Sequence, residues 1–90
     1  YTAVAGDQIL ADTNTTAAFT VTLPAGTVGD EITIIDSKNY FGSNNLTIAA
    51  DGSENIVGSG SDLVLSANSQ AITLTYVNAS RGWQYKTNTE

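Results

Sequence analysis

The side chains in this sequence that could do acid–base chemistry are carboxylates. Seven of the nine acids stand as Asp7 and Asp12, the adjacent Asp30 and Glu31, the single Asp36, and Asp51 with Glu54. Two carboxylates flanking one bond are what glycoside hydrolysis requires, and the pair also needs a concave apolar site to hold its substrate. Nearly every acid here lies beside Gly, Asn or Ser at a turn signal, where a carboxylate accepts backbone N–H bonds. Turn-holding acids are the expectation, and no residue is assigned as catalytic. A glycan-degrading enzyme would have to borrow its cleft from a neighbouring subunit.

Two stretches carry the oxygen ligands that calcium takes, Asn44-Asn45 and Asp51-Gly52-Ser53-Glu54-Asn55. The second does not continue through spaced acids to the closing Glu of an EF-hand loop, so no metal is assigned. Gly58-Ser59-Gly60 lacks the Lys and the strand-to-helix setting of a phosphate cradle and reads as a loop, leaving no expected cofactor. The Asn-x-Ser/Thr triplets at Asn14, Asn45 and Asn78 are no more than this composition produces by chance.

The aromatic residues offer a different chemistry, because flat apolar rings with polar tips suit sugar rings. Tyr76 is in phase with Leu74 and Ile72, which places it and Trp83 in the core or at a subunit interface. Tyr40, Trp83 and Tyr85 are the contacts that a carbohydrate-binding or receptor-binding module would use if they shared one face, with a host surface glycan as partner. Thr20, Thr22, Thr33 and Ile35, together with Thr73 and Thr75, alternate with apolar residues and are candidates for chain-to-chain contact.

Composition narrows the alternatives. Ninety residues allow one domain, read as a single β domain over 1–90 with its core at about 12–86. The absence of His and Cys removes the usual ligands for zinc, copper and haem, the thiol nucleophile, and any side chain that ordinarily titrates near neutrality. It also removes disulfides, so cysteine usage indicates no compartment. Three basic against nine acidic residues, a net charge of −6, exclude nucleic acid as an expected partner, since affinity for phosphate backbones grows with the number of phosphates neutralised. No apolar run approaches the roughly 20 residues that span a bilayer, and no charged segment precedes an apolar one as in a signal peptide; no membrane insertion is expected. The polarity comes mostly from 13 Thr, 8 Ser and 8 Asn, a composition of extracellular or virion-surface proteins. In a chain this small, apolar burial and the cost of ordering nearly cancel. Self-association is expected to supply the difference.

Periodicity then gives the elements. Phe19-Thr20-Val21-Thr22-Leu23 alternates with period two and stops at Pro24-Ala25-Gly26, where Pro removes a ladder donor and Gly permits positive φ. Glu31 to Asp36 alternates likewise, with Ile32 and Ile34 inward and Ile35 facing a partner or second layer. Leu46-Thr47-Ile48, Ile56-Val57, Leu63-Val64-Leu65, Ala71 to Tyr76 and Trp83 to Tyr85 read as further strands between turn signals. The loop 37–45 carries Tyr40 and Phe41, one of which is expected to plug the core, and the polar tail 87–90 is expected to fray. No segment keeps a 3.6-residue period. The fold class is therefore all-β, a small sandwich or prism-like domain of about seven or eight short antiparallel strands.

In order along the chain, AFTVTLPAG (18–26), GDEITIID (29–36), YFGSNNLTIAADGSENIVGSG (40–60) and ITLTYVNASRGWQ (72–84) resemble a recurrent β domain of tailed-bacteriophage virion proteins, found in tail fibres, tail spikes and capsid-decoration proteins. The resemblance covers roughly residues 12–85. It implies a trimer on the virion surface with structural duties in the particle or in host attachment, docked to other capsid or tail proteins. Phe19, Val21, Leu23, Ile32, Ile34, Leu46, Ile48, Ile56, Leu63, Leu65 and Leu74 match its framework positions, and Gly29, Gly52, Gly58 and Gly82 its turns. Trp83 matches the closing Gly-Trp as a core or interface anchor. Both a free-standing decoration protein and one module of a longer virion protein fit the pattern.

Overall fold

The computed structural model describes residues 1–15 and 17–89, with Thr89 described in its backbone only. Among the described residues, seven strands form two mixed sheets. The strands are β1 (Gln8–Ala11), β2 (Thr20–Thr22), β3 (Glu31–Asp36), β4 (Leu46–Ala49), β5 (Leu63–Leu65), β6 (Ala71–Asn78) and β7 (Gly82–Thr89). One sheet has the order β1-β3-β6-β7 and the other β2-β4-β5.

The expected all-antiparallel arrangement is corrected. β1 pairs with β3 in parallel, and so does β2 with β4, while β3–β6, β6–β7 and β4–β5 are antiparallel. The cause is the route of the chain. From β1 to β4 successive strands fall in alternate sheets, so each return to a sheet runs in the direction of the strand it joins. A parallel pair needs a crossover of a dozen or more residues, commonly a helix; here the crossover is a strand of the other sheet. Thr2 extends the winding by bridging to Thr22 in parallel. The chain thus begins as a flattened coil, and the antiparallel strands β5 to β7 complete both sheets.

The inward residues of both sheets meet in one core. Val21, Leu23, Ile32, Ile34, Leu46, Ile48, Leu65, Ile72, Leu74 and Trp83 are buried, and Phe41 from the 37–45 loop joins them while Tyr40 stays partly exposed. Trp83 meets Tyr76 edge-on, with ring centroids 5.6 Å apart and planes at 74°, a geometry that sets one ring's edge against the other's electron-rich face.

Three further expectations change. β1 was not legible, because Ile9-Leu10-Ala11 is a short apolar run without alternation. Ile56-Val57 is no strand; Ile56 makes isolated bridges to Ser59 and Trp83. The tail does not fray through Thr89: Thr87, Asn88 and Thr89 pair with Thr73, Ile72 and Ala71, and Gln70 Nε2 donates to Asn88 Oδ1 at 3.2 Å. Glu90 lies outside the described residues.

Glycine is needed at two of the turns for different reasons. Gly82, with φ of +67°, closes the β6–β7 hairpin, where a Cβ would overlap the Asn55 carbonyl. Gly26 makes no use of positive φ; a Cβ there would fall inside the Tyr76 ring. Close approach, not backbone conformation, excludes a side chain at position 26.

Candidate functional site

The sheet β1-β3-β6-β7 has an outward face as well as a core face. With period two, β3 sends Ile32 and Ile34 inward and leaves Glu31, Thr33 and Ile35 outward; β6 likewise leaves Ala71, Thr73 and Thr75 outward. Register lines these up in rows across the sheet. Leu10, Ile35 and Ala71 form an apolar row, with Leu10 64% exposed. The next row is Gln8, Thr33, Thr73 and Thr87, tied by a 3.2 Å hydroxyl–hydroxyl bond between Thr33 and Thr73. The third is Glu31, Thr75 and Gln84, where Lys86 Nζ donates to Glu31 Oε2 at 2.8 Å. The first two rows carry no charge. Thr33, Ile35, Thr73 and Thr75 thus share one surface, while Thr20 and Thr22 are on β2 in the other sheet, in rows with Thr47, Val64 and Ala49. The six residues singled out in the sequence fall on two faces.

The aromatic trio is not assembled as a sugar platform. Trp83 is fully buried at 0% exposure, so it is a core anchor and offers no surface within this chain. Its Nε1 is buried and has no hydrogen-bond partner among the described residues. Tyr40 lies in the loop after β3 and Tyr85 on β7, both partly exposed. Tyr85 lines a groove of about 200 Å³ with Ile56, Val57, Leu63, Ser61 and Asp62. The groove adjoins the place where residues 55–58 run along β7, held by Trp83 N–H to Asn55 O at 3.0 Å and Val57 N–H to Trp83 O at 2.6 Å. No sequence signal announced it, because its parts come from two distant segments.

The carboxylates act mostly as the sequence suggests, on backbone N–H groups. Asp36 is the most elaborate case: it is 8% exposed and ends β3. Its Oδ2 accepts from the N–H groups of Tyr40 at 2.8 Å, Phe41 at 3.0 Å and Ser69 at 3.0 Å, and its Oδ1 from that of Lys38 at 3.4 Å. Burial pushes its pKa up, but the donors from Phe41, Tyr40, Ser69 and Lys38 outweigh that and hold it below the usual carboxylate value. The result is a joint between the 37–45 loop and the turn before β6, reinforced by Gly42 N–H to Asn68 Oδ1 at 2.7 Å. Asp7 and Asp12 also sit below the usual value, through the Val4 N–H with the Tyr1 hydroxyl and through the Thr15 N–H respectively. Glu54 reaches across to the Gly26 N–H at 3.0 and 3.1 Å. Among the described residues no three acidic side chains gather where they could hold a metal ion.

No protein-family model matches the chain, and no curated protein is significantly similar to it.

Proposed function

We propose that the chain is a non-enzymatic structural component of a tailed-phage particle, a fibre, spike or capsid-decoration module at the virion surface. It acts by self-association, as a trimer of sandwich or prism-like β domains, and by docking to other capsid or tail proteins. The resemblance of its ordered strand-and-turn phrases suggests the setting, and the outward face of β1-β3-β6-β7 carries the mechanism. Rows of Leu10, Ile35 and Ala71 and of Gln8, Thr33, Thr73 and Thr87 make a pleated surface with no charge to desolvate. Burying such a surface gains about 25 cal/mol per Å² of apolar area, and threonines packed in register keep little side-chain entropy to lose.

A carbohydrate- or receptor-binding role through Tyr40, Trp83 and Tyr85 is the weaker reading, since the buried Trp83 leaves two partly exposed tyrosines on different segments. Light scattering on the folded protein at micromolar concentration tests the proposal. A trimeric mass is the expected result, and a mass of 9.4 kDa would overturn it.

A further inference from the structure

Among the described residues, six carboxylates are engaged: Asp7, Asp12, Asp30, Asp36 and Glu54 by hydrogen bonds from backbone N–H groups and Glu31 by Lys86. Among the described residues Asp51 and Asp62 have no such partner, and Asp62 lines the groove beside Tyr85. There it is joined by the Tyr85 ring and by the apolar side chains of Ile56, Val57 and Leu63. An anion, an aromatic ring and an aliphatic wall together match one side-chain chemistry closely. A guanidinium is planar and weakly hydrated, pairs bidentately with carboxylate, and stacks on aromatic faces, while its methylene stem packs on apolar surface. The groove's volume, about 200 Å³, is below the 300–1,000 Å³ common for small-molecule sites and suits a single long side chain.

We infer that this groove receives an arginine side chain from a basic partner protein. The chain's charge supports that source: nine acidic residues face three basic ones. Its own arginine, Arg81, is already bound, with Nε and Nη2 donating to Gln84 Oε1 at 3.3 and 3.0 Å. With only three basic residues in the chain and Arg81 so held, a basic partner is the better source than a second copy. The groove shares no residue with the uncharged rows of Leu10, Thr33, Ile35, Ala71 and Thr73, so a chain that proved monomeric could still bind arginine, and a trimer could fail to.

The test is an NMR titration of the ¹⁵N-labelled chain with Nα-acetyl-arginine amide, beside its neutral isostere Nα-acetyl-citrulline amide and methyl glucoside. Saturable shifts of the Asp62, Leu63 and Tyr85 amides by the arginine probe, with affinity on the order of millimolar, are expected. Citrulline should bind at least about tenfold more weakly, and Asp62→Asn should weaken the arginine probe by a similar factor. Asp62 is exposed, so that variant keeps the fold. Tyr85→Leu should also lose binding; should it fail to fold, the citrulline and Asp62→Asn arms decide. Equal binding of citrulline, an unchanged Asp62→Asn, or no shift at all would overturn the inference. Shifts caused only by methyl glucoside would make the groove a sugar site, and shifts driven by protein concentration alone would assign it to a second copy.

Discussion

Replacing Asp36 removes a joint that gathers four backbone N–H groups on one carboxylate. In Asp36→Ala the N–H groups of Tyr40, Phe41 and Ser69 lose an acceptor at 2.8 to 3.0 Å. A buried donor left unpaired costs about 1–3 kcal/mol. The Phe41 bond is buried and bears the full cost, whereas Tyr40 and Ser69 are partly exposed and recover some of it from water, giving a total of roughly 3–5 kcal/mol. A domain of this size has a stability on the order of 5–13 kcal/mol, so the loss should lower Tm by more than about 10 °C. Asp36→Asn keeps an oxygen but loses the charge that about doubles the strength of these bonds, and it should cost about 1–2 kcal/mol. The assay is urea unfolding at fixed protein concentration, from pH 7 down to pH 2. Because the folded-state pKa of Asp36 lies below the unfolded value, its contribution is fully present above about pH 4 and is lost as pH falls through the folded pKa. The gap between the native protein and Asp36→Asn should therefore be constant from pH 7 to about pH 4 and narrow below it. A cost under about 1 kcal/mol for Asp36→Ala, or a gap that does not narrow in acid, would refute the reasoning.

Gly26→Ala should destabilise by roughly 1–3 kcal/mol, since its methyl would displace the Tyr76 ring from Trp83; thermal unfolding and near-ultraviolet circular dichroism report both effects. Gly82→Ala combines positive φ with overlap of the Asn55 carbonyl and should cost at least about 1–2 kcal/mol, measured the same way. Ile35→Asp places a charge in the uncharged rows of the outward face and should reduce the light-scattering mass toward that of the monomer while leaving the circular dichroism spectrum unchanged. Lys86→Ala removes an ion pair in which both side chains are well exposed, so its effect on Tm should correspond to less than about 1 kcal/mol and shrink further with added salt.

Most of the strand positions were legible because period-two alternation is a local property. Phe19 to Leu23, Glu31 to Asp36 and Ala71 to Tyr76 announce which side chains turn inward, and Val21, Leu23, Ile32, Ile34, Ile72 and Leu74 are buried accordingly. Some of the acids were legible for the same reason: Asp7, Asp12 and Asp30 find N–H donors within three residues, whereas Glu54 reaches Gly26 and Asp36 also takes Ser69 from distant segments. β1 escaped because Ile9-Leu10-Ala11 contains no alternation, and Ile56-Val57 misled because an apolar pair looks alike in a strand and in a bridge. Gly26 was identified as a turn residue on its chemistry, but its neighbour Tyr76 is fifty positions away and invisible to local pattern.

By itself the sequence determined an all-β chain with no imidazole or thiol chemistry, an acidic balance, and alternating faces, since each of these depends on residue type or on spacing within one strand. Tertiary structure decided the rest: the parallel pairings, the withdrawal of Trp83 into the core, the rows that bring Leu10 beside Ile35 and Thr33 beside Thr73, and the groove that Asp62 and Tyr85 both line. Alternation states which side of its own strand a residue takes and nothing about which strand lies alongside. That second choice is made by the path of the chain between the two sheets, and it places residues tens of positions apart on one surface.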